Sequence, residues 1–96
     1  MRNVYLVCYD ICDDRRLKRV YKTMRGFGDH LHLSVFRCEL STRERAEMIA
    51  AVGPVIDQAA DQVLIVDIGP AEGRGAEVFS TLGRAYVQPE RHAVVI

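Results

Sequence analysis

The sequence predicts an α+β fold, and three observations predict it. Short apolar runs rich in β-branched residues (4–9 and 63–68) lie too far apart and are too brief for helices. Between them run two stretches with helical spacing of apolar residues. Each of those stretches opens on a helix-capping signature. Ninety-six residues can bury one ordinary hydrophobic core and not two, so residues 1–96 are expected to form a single domain.

Val4-Tyr5-Leu6-Val7-Cys8-Tyr9 is apolar on both alternating faces, which suits a central strand buried on both sides. Asp10-Ile11-Cys12 ends it, and Asp13-Asp14 supplies a cap. Leu17, Val20, Tyr21 and Met24 then recur at helical spacing, and Gly26 and Gly28 stop the helix. His30 to Leu40 reads as extended structure, with Leu31, Leu33, Val35 and Arg37 on one side and His30, His32, Ser34 and Phe36 on the other. Ser41-Thr42-Arg43-Glu44 matches a capping box and opens a second helix. Its apolar stripe runs from Met48 through Ile49, Val52, Val55 and Ile56 to Ala59 and keeps its phase across Gly53-Pro54, which predicts a kink there. Val63 to Ile68 reads as a strand buried on most of its length, and Gly69 to Gly75 as a loop. The resulting order, β-α-β-β-α-β, is the ferredoxin-like arrangement of two helices on one face of an antiparallel sheet.

Residues 76–96 form a tail, with a weak strand or short helix from Ala76 to Leu82, a turn at Gly83 and an apolar end. Val94-Val95-Ile96 needs a strand to pair with, because chain ends in water are ordinarily polar and frayed. An extra C-terminal strand added to the edge of a partner subunit would satisfy it, as would pairing within its own chain.

Composition excludes several classes. With 49% apolar and 27% charged residues the chain is globular rather than disordered or fibrous. No apolar run reaches the length of a membrane span, and the first residues lack the features of a secretory leader. Three cysteines, Cys8, Cys12 and Cys38, are an odd number without zinc-like spacing, so a reduced, cytoplasmic protein is expected. Net charge is zero, yet it is unevenly spread. Residues 1–45 carry ten Lys/Arg against six Asp/Glu, a balance of +4, and residues 46–96 three against seven, a balance of −4. Arg15, Arg16, Lys18, Arg19, Lys22 and Arg25 fall within eleven residues with no acid among them. A routine solvated helix face mixes signs, so this one points to phosphate-backbone binding.

Asp10 stands where a buried strand meets that basic helix. It is redundant as a cap, since Asp13 and Asp14 already occupy the capping positions. One carboxylate does not make a magnesium site, but a twofold axis near Asp10 would bring a second copy into reach. His30 and His32, two apart on a strand, are open to a metal reading or to a surface one. Cys8 reads as a small hydrophobe, and Cys12 lacks a neighbouring base that would make it a nucleophile.

The ordered blocks Tyr9-Asp10-Ile11, Asp13-Asp14-Arg15-Arg16 and Gly28 followed by Ser34-Val35-Phe36 and Glu39 resemble the CRISPR-associated protein two family, the small subunit of the spacer-acquisition machinery. His32 stands where many members carry glutamine. The resemblance implies a ferredoxin-like homodimer in which two Asp10 residues face each other and bind Mg²⁺, with Mn²⁺ as the alternative ion. It implies a metal-dependent endonuclease acting on single-stranded RNA or double-stranded DNA, and a scaffold for the CRISPR integrase, protein one, with DNA across the basic surface. Carried over, Asp10 is the catalytic metal ligand, and Arg15, Arg16, Lys18, Arg19 and Lys22 bind nucleic acid, with Arg15 and Arg16 either on phosphate or supporting the site. Ser34, Phe36, Val94, Val95 and Ile96 belong to the dimer interface. Two other readings stay open: a catalytically silent DNA-bridging subunit, and a toxin-like ribonuclease of the same fold.

Overall fold

In the computed structural model, which describes residues 1–73 and 78–84, strand β1 (Asn3–Asp10) runs through the middle of a four-stranded sheet. Helix α1 (Asp14–Met24) follows, then the hairpin β2 (Asp29–His32) and β3 (Val35–Leu40), helix α2 (Thr42–Val52) and strand β4 (Gln62–Pro70). The sheet order is β2-β3-β1-β4, with every neighbouring pair antiparallel. Both helices cover one face. This is the ferredoxin-like fold the element order predicts.

Register explains which residues make the core. Val7 pairs with Phe36 on one side and Ile65 on the other, and Tyr5 pairs with Cys38 and Asp67. With side chains alternating along a strand, Tyr5, Val7, Tyr9, Phe36, Cys38 and Leu40 share the helix-facing side. Val20 and Met24 of α1 and Met48 and Val52 of α2 close over them. The opposite face carries Leu6, Cys8, Val35, Arg37, Leu64 and Val66. It is only partly covered: Leu64 is 53% exposed and Val66 40%. The reading of β1 as central holds. The expected burial of β1 on both sides, and of β4 on most of its length, does not, because among the described residues no helix lies over the second face.

Three further expectations change. The second helix does not run on through a kink: it ends at Val52, with Gly53 as its cap, because Pro54 cannot donate to the helix ladder. Val55 and Ile56 still pack against the core from the turns that follow, which is why the apolar phase seems to continue. The stretch from His30 to Leu40 holds the two strands the element order counts, as a hairpin, so its residues do not alternate as one run. Leu33 takes a left-handed backbone (φ 32°) at its tip and is 82% exposed. Gly69-Pro70, read as loop, extends β4. Of the tail, residues 78–84 carry neither helix nor strand, and Arg37 lies under the Phe79 ring at 5.9 Å. The expected strand at Val94-Val95-Ile96 lies outside the described residues. Among the described residues no helix is long and apolar enough to cross a membrane.

Candidate functional site

The site begins where β1 runs out. Asp10 is the last residue of the strand, pairs with Gln62 of β4, and is exposed. By strand alternation it shares the open sheet face with Leu6 and Cys8, away from the helices. The chain then turns through Ile11 and Cys12 to Asp13, whose carboxylate accepts the Arg16 N–H at 3.0 Å and caps α1. Asp13 therefore does the capping, and Asp10 is left free of that duty, as the sequence implies.

A buried carboxylate fixes this turn. Asp61, just before β4, accepts both prongs of Arg16, Nε at 2.7 Å and Nη2 at 3.2 Å. It also accepts the backbone N–H of Cys12 at 2.9 Å and of Asp57 at 2.8 Å. Four donors on one carboxylate, in a side chain wholly shielded from solvent, satisfy the requirement that a buried charge be paired and hydrogen-bonded. The Arg16 hydrogen bonds hold the Asp61 carboxyl far below the usual carboxylate range, and burial only partly opposes them. The Cys12 thiol donates to the Ala60 carbonyl at 3.0 Å, tying the same two loops together. Sequence reasoning misses Asp61 because an aspartate at the mouth of a strand looks like an ordinary turn residue. Its partner lies 45 residues away, and only the register that sets Asp10 beside Gln62 brings them together.

Helix α1 presents its charges as its apolar spacing dictates. Val20 and Met24 are buried and Leu17 and Tyr21 half-buried, so Arg15, Lys18, Arg19 and Lys22 point to solvent. Arg16 is the exception, since its fork is committed to Asp61. Lys18 and Lys22, one turn apart, border a groove of about 590 Å³ between α1 and the β2–β3 turn, lined also by Tyr9, Leu17, Tyr21, Leu33 and Ser34. The Tyr9 N–H donates to the Ser34 carbonyl at 3.0 Å, which fastens that turn to the end of β1. Burial, and the neighbouring Tyr21 hydroxyl, push the Tyr9 phenol up from its usual range.

Other expected residues fall differently. Phe36, expected at a dimer contact, is fully buried in its own protomer against Tyr9, Tyr21 and His30. Its place opposite Val7 turns it toward the helices, so it has no surface to offer a partner. Ser34 is half-buried in the turn. Val94, Val95 and Ile96 lie outside the described residues. His30 packs edge-on to Tyr21 at 5.1 Å and its Nε2 donates to the Leu33 carbonyl at 2.7 Å. A register shift separates His30 from His32, so the two do not form the paired face that even spacing suggests. Among the described residues no group of three His, Cys, Asp or Glu side chains could hold a metal ion. A magnesium site at Asp10 fits these residues where a second copy contributes its own Asp10.

Comparison with known proteins decides the family. The family model for CRISPR-associated protein Cas2 matches residues 3–73. The chain belongs to the Cas2 family. A Geobacter sulfurreducens protein named CRISPR-associated endoribonuclease Cas2 is 43% identical over the full length of both chains, 96 residues. A Rhodospirillum rubrum protein of the same name is 43% identical over 98% of this chain and 91% of its own. Among solved structures, Streptococcus pyogenes Cas2 superposes with a TM-score of 0.72 at 25% identity, covering 83% of this chain and 99% of that one. A Thermus thermophilus protein described as hypothetical gives 0.78 at 25% identity, over 91% and 98%. The matched region takes in Asp10, the basic helix and Asp61 together.

Proposed function

We propose that this Cas2 family member works as a homodimer that binds nucleic-acid backbones and cleaves phosphodiester bonds at a divalent-cation site formed by Asp10 of each copy. Mg²⁺ is the expected ion, with Mn²⁺ able to replace it. The same dimer serves as a DNA-bridging scaffold for the CRISPR integrase during spacer acquisition. One observation carries the reading: an exposed carboxylate, relieved of capping, stands on a locked turn through which the chain enters a helix whose solvent face is cationic. Support for the nuclease comes from the relatives named endoribonucleases. Support for the homodimer comes from the half-covered apolar sheet face on which Asp10 stands, which a second copy would both cover and complete. None of the three cysteines is in a disulfide, in keeping with a cytoplasmic place of work.

A bound divalent cation there would supply a water of lowered pKa and offset the charge on the attacked phosphate. The chain's own residues do the rest. Arg15, Lys18, Arg19 and Lys22 hold the backbone by charge without reading sequence, while Arg16 and Asp61 keep the Asp10 turn rigid. The test is Asp10→Asn, which conserves shape but offers a poor ligand to a hard cation. Mg²⁺-dependent cleavage should fall to background, with the melting temperature and dimer unchanged. Undiminished cleavage by the repurified variant would overturn the assignment. The single carboxylate per chain favours a second reading, the silent bridging subunit. For it, neither wild type nor Asp10→Asn cleaves, and both support integration equally.

A further inference from the structure

We infer that the groove between α1 and the β2–β3 turn seats an unpaired base of a single-stranded nucleic acid. This inference rests on the nucleic-acid reading above and narrows its substrate class to strands whose bases are free. The groove's walls are mostly apolar: Tyr9 from β1, Leu17 and Tyr21 from α1, and Leu33 from the hairpin tip line it. Its charged lining residues are Lys18 and Lys22, and no acid borders it. An apolar cleft with cations at its rim matches a ligand that is flat and apolar in one part and anionic in the next, which is the chemistry of an unstacked nucleotide. A duplex keeps its bases stacked and paired, and could offer the groove only phosphates.

The walls are also preformed. Tyr21 is held by His30 at 5.1 Å and Phe36 at 5.8 Å. Ser34 is tied to β1 through its carbonyl, and Leu33 sits beside it in a left-handed conformation that a leucine adopts only at a cost. That strain keeps an apolar side chain 82% exposed over the groove, where an asparagine or glycine would make the same turn more easily.

The test separates base from phosphate. The full chain bearing Asp10→Asn is titrated in EDTA with a short oligothymidylate, with the same strand made abasic, and with a duplex of equal length. The strand with bases should bind about tenfold tighter than the abasic one, the order expected for a single seated base. Leu33→Asn should bring that ratio close to one without altering the melting temperature, and Lys22→Gln should weaken both strands alike. Equal binding of the two strands by the parent protein would overturn the inference, as would a ratio indifferent to Leu33→Asn. Displacement of the oligonucleotide only by an acidic, leucine-bearing peptide would assign the groove to a protein partner and overturn it too. No cleavage is read, so the cleavage assignment stands or falls separately. Asp10-dependent cleavage with no base preference sinks the groove alone.

Discussion

At the scale of single residues, Asp61 governs the geometry around Asp10 without touching a substrate. Its folded pKa lies below its unfolded value because the protonated form would lose the Arg16 fork and weaken the Cys12 and Asp57 bonds. A depressed carboxylate pKa contributes stability that is complete above the unfolded value, about 3.9, and is lost as pH falls from there toward the folded value. Glu44, lowered first by the Ser41 backbone hydrogen bond, acts with the same sign. Melting temperature should therefore drop steeply below about pH 4. Asp61→Asn, measured by calorimetry at several pH values, should melt lower at pH 7 and show a flatter acid limb. Its cleavage rate should fall while its affinity for nucleic acid, which depends on exposed Lys and Arg, stays within about twofold. An acid limb as steep as wild type would mean that other carboxylates carry it. Asp10 and the exposed α1 cations were legible in the sequence because each depends only on local order: a strand end, a redundant cap, a helical period. Asp61 and the burial of Phe36 were not, since both are fixed by pairings between distant segments.

Among the elements, the segment between α1 and β2 passes so close to β3 that one of its residues has no choice. Gly28, after α1, lies where an added Cβ would fall 2.5 Å from the Arg37 carbonyl oxygen and still nearer the Cys38 sulfur. The oxygen belongs to a strand paired on both sides and cannot yield. Gly28→Ala should destabilise the protein by about 1–3 kcal/mol, the usual cost of overpacking, in urea unfolding; Gly26→Ala, whose nearest neighbour stands at 3.4 Å, should cost far less. Comparable losses at both positions would place the cost in backbone freedom rather than contact. The glycines were legible as helix stops, whereas the reason one of them cannot be alanine was not. Element type was readable throughout because apolar period and caps are local signals. Two boundaries were misread where a chain break keeps the same apolar phase, Gly53-Pro54 after α2 and the left-handed turn at Leu33, and a third at Gly69-Pro70, whose loop-like composition hides the end of β4.

For the whole molecule the decisive feature is the sheet face that the helices leave bare. Leu64 and Val66 stand exposed there, Leu64 opposite Cys8 and two positions from the Gln62 that pairs with Asp10. Exposed apolar surface on a sheet marks a place where another surface belongs, and a second copy placed there brings Asp10 of each chain to the same interface. Leu64→Asp should then give monomers in sedimentation at concentrations where wild type is dimeric, because an unpaired carboxylate in the contact would be desolvated without a partner. As Leu64 is already 53% exposed in one chain, the variant protomer should fold and keep its far-ultraviolet spectrum. Cleavage should be lost with the dimer, although Asp10 itself is untouched. Ile49→Asp, at a comparably exposed position (42%) on the helix-covered side, should leave both the dimer and cleavage in place. A dimer that survives Leu64→Asp with full cleavage would put the contact elsewhere on the molecule. A monomer that still cleaves would show that one Asp10 suffices, and the paired-carboxylate site would have to be abandoned.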